Sequence, residues 1–385
     1  MRILYVADGR SPTALNWISY FVEAGHEVHW ASSFRAQINL DLASQQFVPV
    51  AFSERAGGVG EGTGGVGRLP LQWRTRIRQW AGPMTLKGAA GPLRELAERI
   101  EPDLVHAMRI PFEGMLAGQA GLSAPLLISV WGNDFTLHAS SSPYMKKATR
   151  RATCRADALH SDTQRDSKLA WEWGFDPAKP SLVAPGNGGI RSEIFNSKGR
   201  AKSTQPTVIN PRGLRSYVRN DLFFKAIPLV LAEIPETRFL CPAMQGQPEA
   251  ERFVRHLGIE ESVELLPMLS AQEMADNYRQ AQVMVSPSEH DGTPNSMLEA
   301  MACGSFPVAG RLDSVEEWIE DGRNGRLVEL NDERELAEAI IESLKNVNLQ
   351  SKARKINQAL ISERAAYANV MPKVATFYEE IIASK

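Results

Sequence analysis

The sequence predicts a two-domain α/β protein in which each half is a doubly wound parallel sheet. Three observations carry this. Short apolar runs of strand length alternate with helical segments almost from end to end, and the alternation falls into two series parted by a polar stretch. The chain is also 385 residues long, more than one ordinary hydrophobic core organises.

In the first series ILYVA (3–7), HEVHWAS (26–32), DLVHAM (103–108), PLLISVW (125–131) and DALHSD (157–162) have the length and apolar content of buried parallel strands. Helical segments separate most of them, as at 14–24, which Gly25 closes as a C-cap residue. The second series reads PTVIN (206–210), RFLCP (238–242), VELL (263–266), QVMVSPS (282–288), FPVAG (306–310) and GRLV (325–328). Between them SKGRAKSTQP (197–206) reads as a linker, which bounds the domains at 1–198 and 205–364. Open α/β sheets bind ligands at the carboxyl ends of their strands, so two such halves predict a ligand cleft between them.

Composition narrows the class. The hydrophobic share of 43%, charged share of 23% and formal net charge of −2 suit a soluble enzyme with no whole-protein preference for nucleic acid or anionic membrane. Cys154, Cys241 and Cys303 are too few and too scattered for a disulfide framework or zinc site. No apolar run reaches the ~20 residues of a membrane span, and MRILYVADGR opens on a strand and not a signal peptide. A cytoplasmic protein is expected.

Two segments interrupt the alternation. GGVGEGTGGVG (57–67) is glycine-dense without the Gly-Lys-Ser/Thr ending of a phosphate loop, and reads as a flexible loop. RLPLQWRTRIRQW (68–80) interleaves Arg68, Arg74, Arg76 and Arg78 with Leu71, Trp73, Ile77 and Trp80. It fits peripheral contact with an anionic membrane, or the grip of an acidic acceptor. It fits equally a solvated helix whose tryptophans pack inward.

The chemistry concentrates in SPSEHDGTPNSMLEAMACGSFPVAG (286–310). Thr293 and Pro294 form a helix start, a capping hydroxyl followed by proline at the first helical position. The helix stops at Gly304. Free amides at such a start bind phosphate, and Gly292 permits close approach of a ligand. Glu299, on the side of Ser296, can accept hydrogen bonds from a diol such as ribose, and Asp291 from another polyol. These acids with phosphate-binding amides between them would make a coherent sugar-nucleotide site, but a strand–turn–helix with two acids is common, and taken alone it reads sooner as Asp291 in a turn and Glu299 on a solvated face.

The run from Asp291 to Ala309 closely resembles the acid-x7-Glu signature of retaining glycosyltransferases of family 4, glycosyl transferases group 1 with the GT-B fold. EEWIEDGRNGRLVE (316–329), VAPGNGGIRSEIF (183–195), DLVHAM and SVWGNDF resemble further segments of that family in order. The resemblance covers most of the chain, strongly in its C-terminal half and loosely before residue 100. It implies two Rossmann-like domains facing across a cleft, with the C-terminal helix 365–385 packed back on the first and hinges near 196–205 and 360–365.

Residue by residue, the resemblance makes Glu299 the acid that binds the donor ribose and Asp291 the acid that contacts the donor sugar. Family members usually carry Glu where this chain has Asp291. Gly292, Thr293, Asn295 and Ser296 match positions whose amides approach sugar and diphosphate. PRGLRSYVRND (211–221) corresponds to the family's cationic loop, with Arg212 for its arginine and Arg215 in place of its missing lysine, while Arg219 is read as a solvated turn residue. Gly9 falls in the glycine-containing loop beside the donor phosphates, and Met268 and Leu269 in the segment that reads the base. Where many members have a histidine this chain has Trp131, with Asn133 and Asp134 as polar neighbours. His106 reads as a core residue.

The implied reaction is transfer of a sugar, with retention, from a nucleotide-diphosphate sugar co-substrate to a saccharide or lipid-linked acceptor of cell-surface polysaccharide or glycolipid synthesis. It needs no metal and no other cofactor. A sugar-nucleotide 2-epimerase-like isomerase and a catalytically silent sugar-nucleotide binder are the alternatives.

Overall fold

The computed structural model describes residues 1–53, 71–199 and 205–385, with the backbone alone for 71–75. The glycine-dense segment 57–67, Arg68, the side chains of Leu71, Trp73 and Arg74, and residues 200–204 of the polar stretch lie outside the described residues. The chain divides into one compact unit of Met1–Gly188 with Val370–Lys385, and a second of Gly189–Asn369.

In the first unit β1 (Arg2–Ala7), β2 (Glu27–Ser32), β3 (Ser44–Phe47), β4 (Leu104–Ala107), β5 (Leu126–Val130), β6 (Ala158–Ser161) and β7 (Ser181–Val183) form a parallel sheet, ordered β3-β2-β1-β4-β5-β6-β7. Its central strands are buried along nearly their whole length, as helices on both faces require. The order reverses between β1 and β4, which pair from Ile3 with Leu104.

In the second unit β8 (Thr207–Ile209), β9 (Arg238–Cys241), β10 (Val263–Leu265), β11 (Val283–Ser286), β12 (Phe306–Gly310) and β13 (Arg326–Val328) form a parallel sheet ordered β10-β9-β8-β11-β12-β13. This is the dinucleotide-fold order, with its switch point between β8 and β11. Both sheets bear out the α/β, doubly wound fold class.

Every strand read from the sequence is present. Two more, β3 and β7, were not read. Both are edge strands; SQQF lacks an apolar face because it is only partly covered, and SLV is too short to show a pattern. The helix Pro12–Glu23 ends in a left-handed Gly25 at φ +77°, with Gly25 N–H on Val22 O and His26 N–H on Phe21 O, the paired bonds of a Schellman motif. The helix Leu71–Ile100 buries Leu86, Leu93 and Leu96, but Trp80 is 53% exposed and does not pack inward. It meets Tyr144 edge-on at 6.4 Å. The reading of inward-packed tryptophans fails at Trp80, because the leucines after Pro83 supply this helix's buried face.

Candidate functional site

The second unit's switch point gathers the chemistry. Asn210, fully buried at the end of β8, accepts the Arg212 amide at 3.1 Å and donates to Asn220 at 3.2 Å. Asn220 donates to Gly213 O at 3.1 Å, which closes the loop on itself. The loop is zipped to the segment after β11. Glu289 N–H donates to Tyr217 O and Arg219 N–H to Pro287 O, flanking an antiparallel bridge of Val218 with Ser288. Loops after two adjacent strands therefore arrive together, at the place where open sheets bind ligands.

Arg212 is the centre of this arrangement. Its Nη2 lies 2.6 Å from Asp291 Oδ2, with both side chains largely buried. Its Nη1 donates to Ser296 Oγ at 3.3 Å in the first turn of the helix Asn295–Cys303. Its Nε is buried with no hydrogen-bond partner among the described residues. Burial pushes the Asp291 carboxyl upward, and the Arg212 guanidinium opposes that shift. Arg215 is exposed on the same loop, its Nε on Arg212 O at 3.1 Å. Arg219 is spent on Asp221, Glu289 and Leu330 O.

The helix start differs from its reading in the sequence. Pro294 is the N-cap, not the first helical residue, and no side chain caps the helix. The Thr293 hydroxyl is turned away to accept the Trp318 indole N–H at 3.1 Å. Pro294 O accepts Met297 N–H and Leu298 N–H, which leaves the amides of Asn295 and Ser296 with no backbone acceptor among the described residues. The Asn295 Oδ1 is likewise buried without a partner. Gly292 is buried, and its amide bonds the Asp291 carboxyl.

Glu299 stands in the second turn of this helix. Burial raises its pKa to about 7, against the Tyr278 hydroxyl that donates to it at 3.3 Å and the charge of Arg212. The site thus groups one guanidinium, two acids of raised pKa and two amides without a backbone acceptor among the described residues.

The remaining candidates stand apart. Met268 and Leu269 follow β10, two strands from β8; Met268 is 82% exposed, and neither backbone amide is hydrogen-bonded among the described residues. Gly9 belongs to the other unit, after β1. A Cβ there would lie 2.8 Å from the Ser32 hydroxyl and 2.9 Å from Ala36, so close packing requires the glycine. Trp131 follows β5 with its indole Nε1 buried and unbonded among the described residues. Asp134 is fully buried; it binds Arg109 at 2.9 Å and the amides of Trp131 and Ile110. His106 is a core residue, bonded to Tyr378 and Ser129. Tyr278, Ser314 (whose hydroxyl donates to Asp291 O) and Trp318 were not read from the sequence, since each acts on a residue distant in the chain, and neither was Asn210, which acts within its own loop. Among the described residues no group of three or more His, Cys, Asp or Glu is placed to hold a metal ion.

Comparison with known proteins bears on the family and the fold. The profile of "Glycosyl transferase 4-like domain" matches residues 8–186, and that of "Glycosyl transferases group 1" matches 207–346. A D-inositol 3-phosphate glycosyltransferase of Catenulispora acidiphila is 28% identical over 48% of this chain and 47% of its own length. One of Geodermatophilus obscurus is 28% identical over 61% and 56%. The chain thus spans about half the length of these curated relatives. Among solved structures, sucrose-phosphate synthase of Thermosynechococcus elongatus has a TM-score of 0.79 at 14% identity, covering 100% of each chain. HepE of Anabaena, solved with UDP-glucose, has 0.74 at 15% identity, covering 99% of this chain and 100% of its own. These likenesses are of fold. With the two profiles lying in order over both sheets, the chain belongs to the group 1 glycosyltransferases, with a glycosyl transferase 4-like first domain and the GT-B fold.

Proposed function

We propose that this glycosyltransferase takes its sugar from a nucleotide-diphosphate donor held at the β8/β11 switch point, and transfers it with retention and without a metal ion. The observation that carries the reading is Arg212, which touches both Asp291 and the helix start at Ser296. In this reading Arg212, Arg215 and the amides of Asn295 and Ser296 meet the diphosphate, Glu299 accepts the ribose hydroxyls, and Asp291 holds the sugar. Gly292 and Thr293 line the diphosphate, and Met268 and Leu269 the base.

Transfer breaks the bond from the sugar's anomeric carbon to the β-phosphate oxygen, with the electron pair left on phosphate. The acceptor oxygen bonds the same face of that carbon, and its proton passes to the leaving phosphate. Cations and amides fixed in advance stabilise the growing negative charge, and the folded site holds the reactants in register. The acceptor class we propose is a saccharide or lipid-linked one, in cell-surface polysaccharide or glycolipid synthesis. The setting is the cytoplasm, with peripheral membrane contact through 68–80. Among the described residues no helix is long and apolar enough to cross a membrane.

The test is a thermal-shift screen against UDP, GDP, ADP, CMP, dTDP and their sugar forms, with UDP-sugars first. A donor near a hundred times its Kd adds about 2.7 kcal/mol, and Arg212→Gln should lose that shift. Incubation of the responding donor with acceptors should then release free nucleotide, the product keeping the donor's anomeric configuration by NMR. No response to any nucleotide, or a response indifferent to Arg212, overturns the site; an inverted product overturns retention. Donor bound but never consumed would leave a silent binder.

A further inference from the structure

The first domain has its own switch point, between β1 and β4, and three arginines converge on it. Arg10 follows β1; Arg109 follows β4; Arg78 reaches in from the helix Leu71–Ile100. Two of them are spent. Arg10 makes a two-pronged pair with Asp8 at 3.0 and 2.9 Å. Arg109 binds Asp134 at 2.9 Å and Asn133 at 3.0 Å. Arg78 makes no hydrogen bond or ion pair among the described residues, although its Nε is buried. Its guanidinium lies 4.9 Å from the Phe34 ring centre and 4.6 Å from that of Phe112, while Arg10 lies 3.5 Å over the same Phe34.

The aromatic setting is built. Phe112 is held at φ +73°, a strained conformation for an aromatic residue. Its ring fills the space that a Cβ on Gly82 would take, 2.6 Å away. The buried acid Glu113 acts on the charge of Arg78, as does Asp8, but neither bonds it among the described residues; Glu113 accepts the Ser33 hydroxyl instead. Burial penalises the charge of Arg78, and no acid among the described residues bonds it directly. Rings on its flanks stabilise the cation yet leave its planar edge for the bidentate contact that oxyanions make.

We propose that Arg78, clamped by Phe34 and Phe112, is an oxyanion subsite of the first domain that binds an anionic group of the acceptor, a phosphate or a carboxylate. It rests on the transferase reading only in naming the ligand an acceptor. The subsite itself lies in the first domain, and its test is separate.

The probes are inorganic phosphate and acetate, at ionic strength matched with chloride and with UDP saturating so that the donor site is filled. Thermal unfolding would be followed for wild type, Arg78→Gln and Arg78→Lys. Phosphate or acetate should raise the melting temperature of wild type and, less, of Arg78→Lys, and leave Arg78→Gln unmoved. The stronger of the two names the oxyanion. An equal anion response in wild type and Arg78→Gln, or no response in wild type, overturns the proposal. Failure of the donor reading shows elsewhere: the UDP shift, lost in Arg212→Gln, should persist in Arg78→Gln.

Discussion

Below about pH 7 Glu299 holds a proton that it must lose to do its proposed task. Its pKa of about 7 lies above the ordinary 4.5 because burial penalises the charge. Between those values the folded chain holds a proton that the unfolded chain has released, so stability falls as pH rises through the window and the full penalty stands above it. At about 1.4 kcal/mol per pKa unit, that penalty is on the order of a few kcal/mol. Glu299→Gln should therefore stabilise the Gly189–Asn369 unit at pH 8 relative to wild type, and by less at pH 5. The same change should weaken donor binding, since a carboxylate accepts both ribose hydroxyls and an amide does not. In wild type the affinity for a nucleotide-diphosphate sugar should rise about tenfold per pH unit below 7 and then level, as one carboxyl ionises. Denaturant unfolding at the two pH values and calorimetric titration across pH measure both. A flat affinity profile that Glu299→Gln reproduces would remove the acid from the donor site.

The helix Asn295–Cys303 can present its start to a ligand because its end is fixed. Gly304 stops it at φ +90°, and Ser305 Oγ donates to Tyr278 O at 2.6 Å and Ala281 O at 2.9 Å. Helix end and Tyr278, the hydroxyl that bonds Glu299, are thus one piece. Gly304→Ala forces a side chain into a left-handed conformation, at about 1–2 kcal/mol, and 3.0 Å from Arg354 Nε. The expected result is a lower urea midpoint with unchanged slope, and weaker donor binding as Tyr278 shifts. An unchanged midpoint would mean that the turn is not strained. Elements of this kind were legible in the sequence: buried strands show as apolar runs, and Gly25 and Gly304 mark where helices stop. What the sequence hid is what depends on a distant partner. Thr293 has the chemistry of a cap, but Trp318, 25 residues on, takes its hydroxyl. Arg212 was legible on its loop, whereas its contacts with Asp291 and Ser296 exist only because β8 and β11 are neighbours. Arg78 sits in a stretch whose charge pattern fits a membrane face equally well, and only the fold brings Phe34 and Phe112 beside it.

Across the whole molecule, the first domain is completed by the far end of the chain, Val370–Lys385. A polar chain fastens it there. His160 Nε2 must donate to Ala184 O at 2.9 Å, because a carbonyl only accepts. Its Nδ1 then accepts from Ser129 at 2.8 Å, and Ser129 accepts from His106 Nε2 at 2.7 Å. His106 Nδ1 in turn accepts the Tyr378 hydroxyl at 2.5 Å, and that oxygen takes the Trp17 indole N–H at 2.9 Å. Every proton in this chain is assigned with both imidazoles neutral, in keeping with burial that lowers His106 and brings His160 to about 4. Unfolded histidine gains a proton below its ordinary 6.5, which the folded His160 refuses until about 4. The stability of this domain carried by His160 is thus complete above 6.5 and lost as pH falls through that window, opposite in sense to the contribution of Glu299 in the second. Tyr378→Phe leaves His106 Nδ1 and the Trp17 N–H buried without partners, at about 1–3 kcal/mol each. Amide hydrogen exchange resolves the two domains. In Tyr378→Phe, protection should fall in β1, β4 and β5 and hold in β8, β11 and β12. An equal loss in both sheets would show that the domains unfold as one cooperative body, and no loss in either would show that packing of the helix, not this hydroxyl, holds the chain end in place.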